Sequence, residues 1–576
     1  MPRLVGLIVR EAGRALPSAI GEVREAVDFL RYYGEQVSSR FHNAEHRPLG
    51  PVVAISPWNF PLSIFMGQVS AALAAGNVVL AKPAEQTPLI AHAAVQTLLE
   101  AGLPPGAVQL LPGDGRVGAA LVGDPRVRGV LFTGSTEVAR LIQAQLAERL
   151  DPHGLPIPLI AETGGQNAMV VDSSALPEQA VTDIVASAFD SAGQRCSALR
   201  ILLVQEDVAD RLLDMLRGAM DELVIGRPDQ LHCDIGPVID AEARDTIARH
   251  VDAMRERGFP VYAPGLPEAT RHGHYVAPTL IEIPGIDVLG REVFGPVLHV
   301  MRYRSSELDA AIDAVNALGY GLTFGIHSRI DETIAQVGSR IRAGNIYVNR
   351  NIIGAVVGVQ PFGGHGRSGT GPKAGGPLYL RRLVAPAFAP FLPCAQAPQA
   401  LRQWIDALQK QGVDTAALQV YAQQAPSMQP SVLAGPVGES NQYLLLPRGQ
   451  LLCRADSRDG LLRQAGAALA TGNVALLCGP HAPAALALVP QALREQVREM
   501  GPQDLPDAAL YQGDPVGLQA LQSEVTRYEH AVVGVYALPR DSLKESDYPL
   551  ELLLHEQAVS VNTAAAGGNA SLMSIG

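Results

Sequence analysis

The sequence predicts an α/β protein whose parallel sheets are covered by helices on both faces, and three observations carry that prediction. Short, nearly all-apolar runs such as "PVVAIS" (51–56), "NVVLAK" (77–82), "AVQLLPG" (107–113) and "GVLFTGS" (129–135) alternate with stretches of helical spacing. Strands buried on both faces read as such runs, whereas strands with one wet face alternate apolar and polar residues. A length of 576 residues with 47% hydrophobic content exceeds one ordinary domain and supplies sizeable cores. Finally, "AALATGNVALLCGPHAP" (467–483) echoes "AALAAGNVVLAKPAEQTP" (71–88) in its first part, so a second, partial copy of one unit is expected over about residues 400–576.

In chain order, residues 8–36 space their apolar positions by three and four and predict one helical stretch. A strand opens at Pro51 and breaks at Pro57, a helical stretch follows, and 76–88 reads as another buried strand ended by a proline. A helix over 89–101, a strand over 107–113, a further helix and a strand over 129–135 continue the alternation. Parallel sheets gather ligand and catalytic groups at strand C-terminal ends. Asn59, Lys82, Gly134 and Ser135 all fall just past such ends. From about 164 to 360 the helices lengthen, and the Pro- and Ala-rich "LVAPAFAPFLPCAQAPQA" (383–400) marks a boundary. The expected units are therefore 1–163, 164–385, a linker over 386–400, and 401–576. In the second copy Cys478 stands opposite Lys82 and His481 opposite Glu85, which argues for a structural or assembly role there and against a second site.

Composition removes several function classes. Asp and Glu number 57 against 45 Lys and Arg, and a net charge of −12 argues against a nucleic-acid partner. The five cysteines are scattered, with no CxxC and no His/Cys cluster at metal spacing, so reduced thiols in a cytoplasm-like compartment and no metal are expected. No signal peptide opens the chain, and no apolar run reaches the ~18 residues of a membrane span.

Several stretches could carry chemistry. "GDGRVG" (113–118) fits a dinucleotide fingerprint, but the next strand lacks the acid that would hold a ribose, so a Gly-rich turn allowing close helix packing is the better reading. "FTGSTEVA" (132–139) runs a strand into a helix N-terminus, which suits either a pyrophosphate or simple capping by Ser135 or Thr136. Lys82 and Glu85 lie one helical turn apart beyond a buried strand, where Lys can donate to ribose hydroxyls and Glu can accept from them. In "GQRCSALR" (193–200), Arg195 precedes Cys196 and small residues leave room beside it, as a thiolate nucleophile requires. "LIAETGGQNAMVV" (159–171) leaves Glu162 at a strand end beside Gly-Gly, and "SPWNFP" (56–61) places the amide of Asn59 at another. A thiol, a carboxylate base and an amide donor make a coherent set for acyl chemistry through a thioester.

Together with "EVFGPVL" (292–298) and "PFGGHGRSGTGPKAGGP" (361–377), these stretches stand in the order of the aldehyde dehydrogenase superfamily, which the chain resembles over about residues 1–385. Within it, the chain is most similar to the L-glutamate γ-semialdehyde (1-pyrroline-5-carboxylate) dehydrogenase half of the bifunctional proline utilization A family, in a long form with a C-terminal dehydrogenase-like unit. The resemblance implies a Rossmann-type NAD domain, an α/β catalytic domain and a degenerate α/β copy. It implies that Cys196 attacks the aldehyde, that Asn59 and the Cys196 backbone N–H hold the oxyanion, and that Glu162 activates the hydrolytic water. Lys82, Glu85, Gly134, Ser135, Glu292 and Phe294 would hold NAD. Ser197, Gly354 and Ala355 would anchor the substrate α-carboxylate, Glu25 would face its amine, and Phe60 and Phe362 would wall its aliphatic part.

The same resemblance implies that the chain is a fragment, with FAD belonging to a proline dehydrogenase domain carried elsewhere in the polypeptide. It implies a soluble cytoplasmic protein with a small-molecule substrate, and leaves a homo-oligomer open. The closing "HEQAVSVNTAAAGGNASLMSIG" (555–576) would act as a lid over a tunnel between the two activities. A dehydrogenase for another small aldehyde, transfer of the acyl group to coenzyme A, and an inactive scaffold are the alternatives.

Overall fold

A computed structural model describes residues 1–41, 46–385, 392–539 and 548–564, and all structural statements below concern these residues. The expected segment 386–391, most of the proposed lid (565–576) and residues 42–45 and 540–547 lie outside them.

The first sheet is parallel and runs in the order β3-β2-β1-β4-β5, with β1 at Pro51–Ile55, β2 at Val78–Lys82, β3 at Val108–Leu110, β4 at Gly129–Thr133 and β5 at Leu159–Glu162. Its register sets Ile55 beside both Lys82 and Phe132, and Thr133 beside Glu162, so their C-terminal ends share one edge. Helices α1 (Pro2–Ala12), α2 (Leu16–Arg40), α3 (Ser63–Ala74) and α4 (Pro88–Glu100) cover one face; α5 (Gly115–Gly123) and α6 (Thr136–Leu146) cover the other. The single helix expected over 8–36 is in fact broken at Gly13, whose φ of 66° ends α1 in the left-handed region that glycine tolerates best. The break turns the following residue, Arg14, into the interior. In the "GDGRVG" stretch, Asp114 caps α5 and Gly118 lies against Lys82 and Ile55, in keeping with a packing role for the turn.

The second sheet is larger. Its strands are β6 (Asn167–Val171), β7 (Leu199–Gln205), β8 (Val261–Tyr262), β9 (Thr279–Glu282) and β10 (Val297–Tyr303), then β12 (Thr323–His327) and β13 (Asn345–Val348), while β11 (Tyr320–Gly321) and β14 (His365–Gly366) form a separate ladder. Three later strands complete its edge: β15 (Ser431–Leu433), β16 (Glu439–Pro447) and β22 (Leu554–Asn562). Strand β22 pairs parallel to β13 and antiparallel to β16. The expected units are thus interleaved in space. Tyr379, Leu380, Leu383 and Val384 return to the core of the first sheet, and residues beyond 430 extend the second.

The third sheet holds β17 (Gln450–Ala455), β18 (Val474–Cys478), β19 (Val497–Glu499), β20 (Ala508–Gly513) and β21 (Gly534–Pro539) in the order β19-β18-β17-β20-β21, the topology of the first sheet repeated. Even its pins are copied. Asn77 accepts from Gly50 N–H at 3.1 Å and donates to Leu383 O at 2.9 Å; Asn473 accepts from Gly449 N–H at 2.9 Å and donates to Leu553 O at 2.9 Å. The strand-end chemistry is not copied. Where β1 and β2 end on Ile55 and Lys82, β17 and β18 pair Arg454 with Cys478, and Arg454 donates to the Cys478 sulfur at 3.3 Å and pairs with Glu524 at 2.8 Å.

No helix among the described residues is long and apolar enough to cross a membrane. Trp404 and Leu408 are both fully buried in the C-terminal core. Leu408→Ala should cost about 2–5 kcal/mol, read in a Trp58→Phe background as a lower denaturant midpoint of Trp404 emission.

Candidate active site

A cavity of about 450 Å³ opens between the first and second sheets, and Cys196, Glu162, Ser197, Gly354, Ala355, Glu25, Phe60 and Phe362 all line it. Cys196 follows a 3-10 turn, Asp190–Gly193, in which Ser191 and Ala192 adopt left-handed backbone (φ 56° and 54°). Non-glycine residues held there store strain, and two polar side chains from β6 and β7 hold it. Arg200, 1% exposed, donates to Gly193 O at 2.8 Å, Gly295 O at 2.9 Å and Arg195 O at 3.1 Å. Asn167 donates to Cys196 O at 2.6 Å and Ala198 O at 2.9 Å.

The cysteine environment departs from the sequence expectation. Arg195 favours the thiolate as expected but is outweighed, being paired with Asp190 and donating to Ser18 Oγ at 2.9 Å. Burial, with the carboxylates of Glu292 and Glu162, pushes the Cys196 thiol up to about 12. The resting group is a thiol, and its proton must leave as it reacts.

Glu162 ends β5, and its Oε2 accepts the Gly364 N–H at 3.0 Å while Oε1 is buried with no protein partner. A Cβ at Gly363 would lie 2.6 Å from that Oε1, so only glycine fits there. Burial raises the carboxyl well above its ordinary range, against the Gly364 hydrogen bond and the charge of Lys373.

Asn59 lies behind the wall of the cavity. Its Nδ2 donates to Gln194 O at 3.2 Å, in the cysteine loop. Its own carbonyl accepts from Arg14 at 2.8 Å, and Arg14 pairs with Glu22 at 3.0 Å. Glu22 in turn accepts the Leu62 N–H at 2.7 Å, so a buried ion pair from the broken first helix clamps both ends of the turn that carries Asn59 and Phe60. The Phe60 ring lies 4.1 Å from the Arg14 guanidinium and 5.2 Å from that of Arg195. Sequence reasoning missed Arg14, Glu22, Asn167 and Arg200. Asn167 and Arg200 stand out as polar residues in the apolar runs "NAMVV" and "ALRILLV", while Arg14 and Glu22 lie among other charges and give no such signal.

The same cavity is lined by Gly354 and Ala355, in a loop whose flanks are tied to β16 and β22. Arg350 meets Glu439 at 2.6 Å and Ser560 at 2.7 Å, and Gln360 donates to Glu439 at 2.9 Å and Asn441 at 2.8 Å. Half-buried Glu25 has its carboxyl raised to about 7 by burial, against Ser63 and Arg14.

The expected cofactor residues gather elsewhere, on the strand-end edge of the first sheet. Strand β1 has β2 on one side and β4 on the other, the switch point where such sheets form a crevice. Lys82 is buried there, donating to Pro83 O at 3.0 Å and meeting Glu85 at 3.8 Å; it is not the solvated charge that it suggests in isolation. Ser135 caps α6, accepting from Val138 N–H at 3.3 Å, and Gly134 is crowded by the Phe132 ring. Ser56 Oγ, just past β1, is buried with no protein partner. Glu292 is held by Arg200 at 3.0 Å over Gly164, where any Cβ would collide with it, and Phe294 meets Trp58 edge-on at 5.6 Å. A buried cation, an orphaned hydroxyl and a capped helix N-terminus around one crevice fit a dinucleotide.

Residues 2–385 match the model of the aldehyde dehydrogenase family. The chain is 54% identical over 597 residues to the bifunctional protein PutA of Klebsiella aerogenes, covering 98% of this chain and 45% of that protein. It is 39% identical over 390 residues to the 1-pyrroline-5-carboxylate dehydrogenase of Bacillus thuringiensis (strain Al Hakam), covering 65% of this chain and 75% of that one. Among solved structures, proline utilization A from Corynebacterium freiburgense superposes with a TM-score of 0.78 at 28% identity, over 98% of this chain and 55% of that one. The 1-pyrroline-5-carboxylate dehydrogenase from Thermus with bound NAD gives a TM-score of 0.62 at 35% identity, over 66% and 76% of the two chains. The chain spans less than half the length of the PutA relatives it matches.

Because the Cys196 thiol is held up to about 12, its alkylation by iodoacetamide should climb about tenfold per pH unit from pH 7 to 9 without a plateau. Peptide mass spectrometry resolves this cysteine from the other four, and a plateau below pH 8 would contradict the assigned environment.

Proposed function

The chain belongs to the aldehyde dehydrogenase family, and on that premise we propose that it oxidises L-glutamate γ-semialdehyde to L-glutamate with NAD, through a thioester on Cys196. The observation that carries this reading is a single cavity lined both by Cys196 and Glu162 and by the Gly354–Ala355 loop with Glu25. A thiol and a base suit an aldehyde, while backbone N–H groups and a half-buried carboxyl suit an α-amino acid end. Burying such a zwitterion without partners would be costly, so the site favours aldehydes that carry one. The relatives named 1-pyrroline-5-carboxylate dehydrogenase and the bifunctional PutA proteins support the same substrate.

In this mechanism the Cys196 sulfur bonds to the aldehyde carbon as the thiol proton leaves to solvent, and Glu162, whose raised carboxyl makes it an effective base, is kept for the water of the second half-reaction. Asn59 Nδ2, which gives one N–H to Gln194 O and keeps a second, stabilises the oxyanion together with the Cys196 backbone N–H. NAD, when bound, supplies the acceptor for the aldehyde hydride, and Lys82, Ser135 and Glu292 are the residues that hold it. Glu162 then takes a proton from water attacking the thioester, its Oε1 being free of protein partners. The balance is aldehyde, NAD and water giving carboxylate, NADH and two protons. By likeness to the bifunctional PutA proteins, a proline dehydrogenase domain with FAD would supply the aldehyde.

NADH formation from glutamate semialdehyde, beside Cys196→Ala, tests the reading: wild type should turn over and the variant should lose at least about 10³-fold. Equal rates in both would overturn it. For Glu25, with its carboxyl raised to about 7, the charged form that attracts the substrate ammonium is present above that pH and lost below it. KM should therefore rise as pH falls from 8 to 6 in the wild type and stay flat in Glu25→Gln, which should already show a KM raised by about tenfold.

A further inference from the structure

One buried cluster beside the site takes no part in the chemistry above. Lys373 is 2% exposed, and its Nζ donates to Gly344 O at 2.7 Å, Asn345 Oδ1 at 2.5 Å and Pro361 O at 3.3 Å. An ammonium has three N–H donors to match three such acceptors; a neutral amine has two, and its lone pair would face an oxygen. The geometry therefore fits the charged form. Asn345 relays the contact, accepting the Gly363 N–H at 3.3 Å on the same Oδ1 and donating to Pro361 O at 2.9 Å. The next N–H, that of Gly364, is the one that holds Glu162. There is little slack, because a Cβ at Gly344 would lie 2.2 Å from Gly363 O.

A cation buried this deeply needs a counter-charge. Glu556 of β22 provides the larger part across space and Glu162 the rest. Glu556 is pinned to Lys373 through the main chain, its Oε2 accepting the Lys373 backbone N–H at 2.7 Å and its Oε1 accepting from Tyr443 OH of β16 at 2.9 Å. The other charged or titratable groups facing the cluster are Glu162, Arg448 and the stacked pair His365 and His555, both held neutral by burial. Thus the carboxylate that does most to balance Lys373 comes from the C-terminal part of the chain, 183 residues away in sequence.

We propose that Glu556 is a positioning residue for the general base: it keeps Lys373 charged, the charged Lys373 and Asn345 fix the Pro361–Gly364 turn, and that turn orients Glu162. The proposal rests on the reading of Glu162 as the base for thioester hydrolysis. It gives the C-terminal unit a part in the reaction without any residue of its own at the reacting atoms.

The test compares the full chain with Glu556→Gln, Glu556→Asp and Lys373→Met. Hydrogen exchange of the peptide covering 361–366 needs no substrate and reads the turn directly. Glu556→Gln should raise exchange at Gly363 and Gly364 by about tenfold or more, with Glu556→Asp nearer the wild type. Lys373→Met should do the same through the other partner, so the test survives if one variant fails to fold. In stopped flow with glutamate semialdehyde and NAD, the first-turnover NADH burst should persist in Glu556→Gln while the steady rate falls about tenfold and KM moves less than about twofold. Unchanged exchange in both Glu556→Gln and Lys373→Met would overturn the proposal. So would a burst and steady rate that fall together while exchange rises throughout the first sheet. A wild-type chain that makes no NADH would defeat the functional reading instead, and the exchange comparison would still decide the clamp.

Discussion

The pairing of β22 with β13 is the contact on which the rest of the site depends. Side chains alternate along a strand, so Glu556, Ala558 and Ser560 share one face of β22, and the register fixed by Asn345↔Ala558 aims that face at the cavity walls. Ser560 reaches Arg350 at the start of the substrate loop, and Glu556 reaches Lys373 behind the loop that holds Glu162. A slip of one residue would exchange this face for the other. The nine-residue antiparallel ladder with β16 resists that slip and adds Glu439, Asn441 and Tyr443 to the same network.

The third sheet explains how such a strand pair comes to be there. It repeats the order of the first sheet and its asparagine pins, yet fills the end of its own β17–β18 crevice with Arg454, Cys478 and Glu524. What the copy has kept is a folded sheet with β16 before it in the chain and β22 after it. What it has lost is the buried lysine and the open strand end. A folded unit can be retained for what it presents to a neighbour after its own pocket has closed.

Much of this was legible in the sequence for physical reasons that can be named. The strands β1 and β4 are buried on both faces, and β2 is so toward its C-terminal end, so they read as apolar runs, and their ends place Asn59, Lys82 and Ser135. Cys196, Glu162, Ser197 and the Gly354–Ala355 loop do gather around one cavity. The break at Gly13 was not legible, because apolar spacing continues across it and only the inward turn of Arg14 reveals it. Nor was the state of the thiol. Arg195 is next to Cys196 in sequence and favours its thiolate, but burial first, and then two carboxylates brought in by folding, outweigh it. Pairings such as β22 with β13 or Glu556 with Lys373 leave no local pattern, since each half satisfies its own segment and meets its partner only in the tertiary structure.

The central claim is that Cys196 carries the acyl group and Glu162 releases it. The most direct measurement is intact and peptide mass spectrometry of Glu162→Gln after a short exposure to glutamate semialdehyde and NAD. The account predicts a stable acyl adduct on the Cys196 peptide, absent without NAD and short-lived in the wild type. An adduct on another residue, or turnover by Glu162→Gln at the wild-type rate with no adduct, would contradict it.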